Sequence, residues 1–356
     1  MSLQGISGKT IPFDGQVGGH AGVMTVEDGS MIIKDSLPKE RAFYALLGTH
    51  EALAPLRDYV PEYMGQIKLT GVTEGVEVGH EVLQEIASGK ESIVLRNVAY
   101  EFKKPNILDI KLGTVLYDES ANEEKQARMI ETARKTTSLE SGVRLTGFKV
   151  WDPSKNDYEQ TPKSYGKSIK VSQLPEGMAK FFPAASIQDR GLLNAVIDGI
   201  IGEVQEIKEI FEKVEMRMVG GSLLIVWEGD EEALKASLSA TEELPEGGLT
   251  GKHKAEAAAA APAAAERALN EVEVELPGGK GAAEEESAET SSSLSTSSSK
   301  KLSLGYAVKM IDFAHTRLAP GEGPDKGVLL GMETTLKLLE GRKAELAVVA
   351  EDAGAA

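Results

Sequence analysis

The chain contains no cysteine, which rules out disulfide staples and thiolate metal sites and permits a reducing compartment. It has no apolar run long enough to cross a bilayer and no hydrophobic signal segment near its start. A soluble protein inside the cell is the expectation. It also lacks a basic surplus. Lys and Arg number 39 against 56 Asp and Glu, a formal net charge of −17. Broad binding to nucleic acid or to anionic membranes needs the opposite sign, so no direct nucleic-acid contact is expected. A local cationic pocket remains compatible with that total.

What is present is enough for a core. The 356 residues are 41% hydrophobic, and the length suggests two domains or one large bilobal one. The stretch Lys104–Gly113 alternates like a strand, with Leu108, Ile110 and Leu112 on one face and Ile107, Asp109 and Lys111 on the other. Asp109 and Lys111 thus sit side by side below the turn-forming Gly113. A carboxylate and an ammonium among apolar neighbours cost desolvation energy. The spacing alone fits both a structural ion pair and a functional one.

Before this strand, residues 1–98 read as a strand-rich lobe. It holds a glycine-rich turn from Gln16 to Gly22, a hairpin signal at Asp28-Gly29, and a strand Ser30–Lys34 ending in lysine. A helix starts near Ser36 and Pro38 and carries Glu40. Beyond it, Ser120 and Glu123 form a capping box for a helix bearing Lys125 and Arg128. Ser186–Met218 has the apolar stripe of a long core helix. Gly221–Gly229 and Ala307–Phe313 read as buried strands, and Val328 to about Val349 as a closing helix. Residues 231–303 are rich in Ala, Glu, Ser, Gly and Pro and lack aromatics, the composition of a disordered acidic insert. Residues 99–230 and 304–350 are then the second lobe.

Three motifs follow one another in order: Pro105-x-x-x-Asp109-x-Lys111-x-Gly113, Ser222-Leu223-Leu224, and Ile311-Asp312-Phe313-Ala314-His315, with Ile32-Ile33-Lys34 ahead of them. Together they resemble the signature of the inositol polyphosphate kinases. Within that family the resemblance is nearest to the fungal multikinase branch, which is also tied to arginine-responsive transcription. It implies an α+β, two-lobed inositol polyphosphate kinase fold, protein-kinase-like with an ATP-grasp-like nucleotide cleft. It implies ATP and Mg²⁺ as cofactors and a soluble inositol phosphate as acceptor. Inositol 1,4,5-trisphosphate would be carried to tetrakis- and pentakisphosphates at the 6- and 3-positions.

Carried over residue by residue, Lys34 would hold nucleotide phosphates, with Glu40 as its partner. Arg96 and Val98 would offer hinge backbone to adenine. Relatives often have Glu where Arg96 stands, so only a backbone contact transfers. Asp109 would position the nucleotide ribose, and Lys111 would serve the acceptor hydroxyl and the moving phosphoryl group. Asp312 would bind the metal. Ser222 would support it, although relatives place further serines where this chain has Gly220 and Gly221. Lys125, Arg128, Lys149, Lys167 and His315 would anchor acceptor phosphates. A hexakisphosphate kinase, a trisphosphate 3-kinase, a phosphoinositide kinase and a transcription-complex scaffold using the acidic insert are the alternatives. A monomer in nucleus and cytoplasm is the remaining expectation.

Overall fold

The structure, a computed structural model, describes residues 10–13, 15–18, 22–68, 91–242 and 305–354. The first sheet is antiparallel. Its strands β1 (Thr10–Pro12), β2 (Met24–Val26), β3 (Met31–Asp35), β4 (Tyr63–Lys68) and β5 (Glu91–Arg96) lie in the order β1-β2-β3-β5-β4. Helix α1 (Pro38–Thr49) follows β3, and its proline stands in the first turn, where the missing N–H costs nothing.

The remaining strands are β6 (Pro105–Leu112), β7 (Val143–Asp152), β8 (Asp157–Thr161), β9 (Met216–Met218), β10 (Ser222–Glu228), β11 (Tyr306–Ile311) and β12 (Thr316–Leu318). A second sheet runs β11-β10-β6-β7-β8, and β9 pairs with β12. The helices around it are α2 (Glu123–Lys135), α3 (Ser138–Ser141), α4 (Lys163–Ser168), α5 (Leu174–Phe181), α6 (Arg190–Lys213), α7 (Glu231–Glu242) and α8 (Lys326–Gly354).

The alternation of β6 places its two faces in different surroundings. Leu108, Ile110 and Leu112 are fully buried in one core with the α6 stripe of Leu193, Val196, Ile197, Ile200, Val204, Ile207 and Phe211. Each such side chain contributes about 1.5–3 kcal/mol of burial energy. The same core reaches into the first sheet's partner helix. Phe43 of α1 stacks on Phe313 with ring centroids 4.7 Å apart, and Tyr44 meets that ring edge-on. Helix α1 therefore ties the first sheet to the end of β11.

Three expectations change. The long helix stops at Lys213, with Val214 extended as its cap. Met216 and Met218 are buried while Arg217 is partly exposed, a period of two, and this triplet is strand β9. Helix α2 is capped by Asn122, which accepts from Lys125 N at 2.9 Å, while the Ser120 hydroxyl donates to Asp118. The segment 231–303 does not begin as a disordered insert. Asp230 caps α7 by accepting from Ala233 N, Leu234 is fully buried, and the Glu231 carboxylate accepts from Gln188 N and Asp189 N. Those contacts outweigh the polar composition over the first turns. Residues 243–304 lie outside the described residues.

The chain crosses between the sheets at residues 97–104, and a buried carboxylate holds the far end of that crossing. Glu228 accepts from Lys103 N at 2.6 Å, Lys104 N at 2.8 Å and Asp230 N at 2.9 Å. Removing it strands three backbone donors. Glu228→Ala is expected to cost about 3 kcal/mol or more, read from urea unfolding midpoints; a change below about 0.5 kcal/mol would mean that water replaces the clamp.

Candidate active site

The second face of β6 carries Ile107 and Asp109 into the cleft between the sheets, with Lys111 next along the same face and lining neither cavity. Across the ladder, Leu224 stands opposite Asp109 and Ser222 opposite Lys111. On the other side Gly147 stands opposite Asp109 and, after a bulge, Arg144 opposite Lys111. Residues 15–18 form a roof over this strip. A Cβ on Gly18 would lie 1.9 Å from Asp109 Oδ2, and one on Gly147 would lie 2.0 Å from the Val17 carbonyl oxygen. Only glycine at both positions lets the loop lie this close to the sheet. The rest of the glycine-rich turn, Gly19–Ala21, lies outside the described residues.

Asp109 is consequently 3% exposed, and its Oδ1 has no hydrogen-bond partner. Burial raises its pKa to about 6; the Asp312 charge adds to the rise, and Lys111, Ser222 and Lys163 oppose it. Ser222 Oγ is near enough to favour the carboxylate, yet it makes no hydrogen bond of normal geometry. Lys111 donates to the Gly220 carbonyl at 2.6 Å, and burial lowers its pKa despite Asp109 and Asp312 nearby.

The raised Asp109 pKa has a consequence for the nucleotide-free protein. A carboxyl that ionises less readily when folded adds stability fully present below its ordinary pKa of 3.8 and lost as pH rises through about 6. The difference amounts to about 3 kcal/mol. Unfolding midpoints of wild type and Asp109→Asn between pH 3 and 8 are expected to diverge over that window, the variant losing less with rising pH. Parallel curves would contradict it.

A second group of charges closes the cleft. Lys34 Nζ lies 2.7 Å from Asp312 Oδ1 and 3.0 Å from Glu40 Oε1. Burial works against the Lys34 ammonium, but the Asp312 and Glu40 carboxylates outweigh it and raise its pKa. Glu40 is 2% exposed, and burial raises its pKa against the pull of Lys34. Asp312 adopts a left-handed backbone, φ 66°, at the end of β11. An Asp tolerates that region better than most residues, and strained backbone of this kind collects at functional sites. Lys34, Asp109 and Asp312 line one cavity of about 150 Å³ with Arg96, Val98 and the 15–18 roof. Arg96 spends its N–H on the Glu62 carbonyl and its guanidinium on Glu101.

A larger cavity, about 740 Å³, opens beside α1 and is lined by Lys39, Asp118, Glu119, Arg217, His315, Arg317 and Glu322. Its cations are matched by acids. His315 Nδ1 meets Asp118 Oδ2 at 2.8 Å, Lys39 reaches the same oxygen at 3.3 Å, and Arg317 bridges Glu119 and Glu322. Burial works against the Asp118 carboxylate, but Ser120, Lys39 and His315 outweigh it and hold its pKa at about 2.

The structure therefore brings Lys34, Glu40, Asp109, Ser222 and Asp312 to one cleft, with Lys111 beside them and Arg96 and Val98 at its rim. His315 lies in the second cavity. Lys125 is half-buried in the first turn of α2, Arg128 is exposed on the next, and Lys167 is exposed at the end of α4. Lys149 lies over the Tyr158 ring, 4.6 Å from its centroid. None of these four lines either cavity. Two cations near Asp109 escaped the sequence reading, Arg144 and Lys163. The bulge in β7 hides the first, because simple alternation does not tell which residue faces Lys111. The second opens α4, one turn before Lys167, the lysine singled out.

A strand lysine paired to a helix-borne glutamate and to an aspartate at a strand end, roofed by a glycine-bearing loop, is the cleft of an ATP-using phosphotransferase. The chain belongs to the inositol polyphosphate kinase family: the family profile of that description matches residues 92–340. It is 26% identical over 360 residues to the inositol polyphosphate multikinase of Saccharomyces cerevisiae, covering 90% of this chain and 95% of that one. It is 31% identical over 186 residues to the Schizosaccharomyces pombe inositol polyphosphate multikinase, covering 52% and 67%. The fold matches the solved S. cerevisiae inositol phosphate multikinase in complex with ADP and Mn²⁺, at a TM-score of 0.57 and 24% identity over 88% of this chain and 98% of that chain. The protein is a kinase of the two-lobed type expected from its motifs.

Proposed function

We propose that the protein is a multikinase of soluble inositol polyphosphates that uses ATP and Mg²⁺. It would take inositol 1,4,5-trisphosphate through a tetrakisphosphate to a pentakisphosphate at the 6- and 3-positions. The observation that carries this reading is the Lys34–Glu40–Asp312 cluster at the cavity that Lys34, Asp109 and Asp312 line, with Lys111 beside Asp109 on β6. The solved relative's ADP and Mn²⁺ support a nucleotide and a divalent cation here.

Among the described residues no group of three or more His, Asp or Glu forms a ready-made metal cage. Mg²⁺ does not need one, since it takes one or two carboxylates and fills its shell with phosphates and water. Asp312 supplies the carboxylate, and the buried, unpartnered Ser222 hydroxyl is an oxygen suited to the same neighbourhood. When bound, the cation neutralises phosphate charge. Lys34 turns from Asp312 to nucleotide phosphates while Glu40 keeps it aimed, and Val98 and the Arg96 carbonyl offer backbone to adenine, the Arg96 N–H being held by Glu62. Asp109 positions the nucleotide. Lys111 follows the charge that develops on the moving phosphoryl group, where stabilisation counts most. Lys125, Arg128, Lys149, Lys167 and His315 are the proposed anchors for acceptor phosphates. For His315 that contact uses Nε2, since Nδ1 is held by Asp118.

The multikinase reading is favoured over a dedicated kinase by the short path from β7 to α4. The turn 153–156, the hairpin partner β8 (Asp157–Thr161) and Pro162 fill it, leaving no large specificity element there. Competition between trisphosphate and hexakisphosphate acceptors tests this: the trisphosphate should be preferred. A preference for the hexakisphosphate would assign the chain to the other branch. The acidic segment after α7 is proposed as a contact for transcription regulators, with the protein in nucleus and cytoplasm. Replacing residues 245–299 with a short Gly/Ser linker is expected to keep turnover within about threefold and to weaken any such partner. Loss of turnover in a folded deletion would place the segment in the active site.

A further inference from the structure

Three buried polar atoms that lack hydrogen-bond partners lie on three adjacent strands around Lys111: Asp109 Oδ1 on β6, Ser222 Oγ on β10 and Arg144 Nη1 on β7. Ser222 and Arg144 flank Lys111 on the two neighbouring strands, and Asp109 precedes it by one position of the same face. Unsatisfied buried groups are uncommon, and several side by side mark a place where function outweighs stability. Of the three residues, Arg144 has no role in the reading above. It is 9% exposed, lines neither cavity, and makes no ion pair among the described residues. Its guanidinium keeps its charge at any working pH.

That fixed charge stands beside two side chains that the reaction uses. It attracts Asp109 and repels Lys111. The Lys111 ammonium lies on the far side of β6 from Arg144, 2.6 Å from the Gly220 carbonyl at the head of β10. We propose that Arg144 is a positioning residue for phosphoryl transfer. Its charge drives the Lys111 ammonium across β6 toward Gly220 and draws the Asp109 carboxylate toward β7, so that the two do not collapse onto each other. It touches neither nucleotide nor acceptor. The assignment rests on the kinase reading above and adds to it a residue acting through Lys111 and Asp109.

The test uses the full chain with ATP, Mg²⁺ and inositol 1,4,5-trisphosphate, comparing Arg144→Gln, Arg144→Lys and each combined with Lys111→Ala. Arg144→Gln is expected to lower kcat about tenfold or more while KM for both substrates stays within about threefold. Arg144→Lys, which keeps the charge, should recover most of kcat. In the Lys111→Ala background Arg144→Gln should lose most of its effect, because one of the two residues it acts through is gone. The proposal is overturned if a folded Arg144→Gln keeps wild-type kcat, or if its loss multiplies unchanged with that of Lys111→Ala. Should Arg144→Gln not fold, Arg144→Lys decides alone, and a tenfold kcat loss in that folded variant overturns it. Wild-type turnover is measured first. Its absence would overturn the kinase reading and this assignment with it, whereas an active wild type with a silent Arg144 overturns only the latter.

Discussion

Lys111→Ala is expected to lower kcat by about a hundredfold to a thousandfold while the protein stays folded and binds nucleotide. The magnitude follows from where Lys111 stands. It lies among Asp109, Asp312, Arg144 and Lys34, and burial already weighs against its charge. A cation held under those conditions gains most when a phosphoryl group bearing new negative charge comes near. Among the described residues its one hydrogen bond is to a backbone carbonyl, so truncation strands a single acceptor, and Asp109, whose pKa already stands at about 6, can take up a proton in place of the lost countercharge. The fold should therefore tolerate the change, with a denaturation midpoint close to wild type. Steady-state kinetics at saturating substrates decides it: a kcat within about threefold of wild type would remove Lys111 from the chemistry.

Asp312→Asn should be at least as damaging. The carboxylate pairs with Lys34 at 2.7 Å, and in the proposed reading it would also offer an oxygen to the divalent cation that neutralises nucleotide phosphates. The amide keeps the shape and loses the charge. Turnover should fall by about a thousandfold, and nucleotide affinity should lose its dependence on Mg²⁺. Structure should survive, because Lys34 retains Glu40 at 3.0 Å. Titration of ADP with and without Mg²⁺ reads the effect directly, and an unchanged Mg²⁺ dependence would put the metal elsewhere.

The sequence carried the site where the chemistry and the strand period coincide. Asp109 and Lys111 could be placed on one face of β6 because Leu108, Ile110 and Leu112 leave no other face for them. Lys34 and Glu40 could be paired because a strand lysine followed by a helix-borne acid is a recognisable arrangement, and the distance agrees. What could not be read was the register between distant strands. Arg144 meets Lys111 only through a bulge, and no local pattern announces a bulge. The Asp118–His315 contact joins residues 197 apart, and the acids of the larger cavity come from equally separated segments. Helix α7 departs from the expected disordered insert for a related reason. Composition alone gives Glu231–Glu242 little to bury, and its order depends on Leu234 finding the core and Glu231 finding the start of α6. The residues proposed as acceptor anchors lie apart, with Lys125 and Arg128 on α2, Lys149 on β7 and Lys167 on α4.

The central claim is that this cleft moves the terminal phosphoryl group of ATP onto a soluble inositol phosphate. Its most direct test is a time course with γ-labelled ATP, Mg²⁺ and inositol 1,4,5-trisphosphate, the products resolved by anion-exchange chromatography, for wild type and Asp312→Asn side by side. Label should pass from ATP into a tetrakisphosphate and then a pentakisphosphate with wild type, and stay in ATP with the variant. Label that appears only as inorganic phosphate, or that reaches the inositol ring equally with Asp312→Asn, would contradict the account.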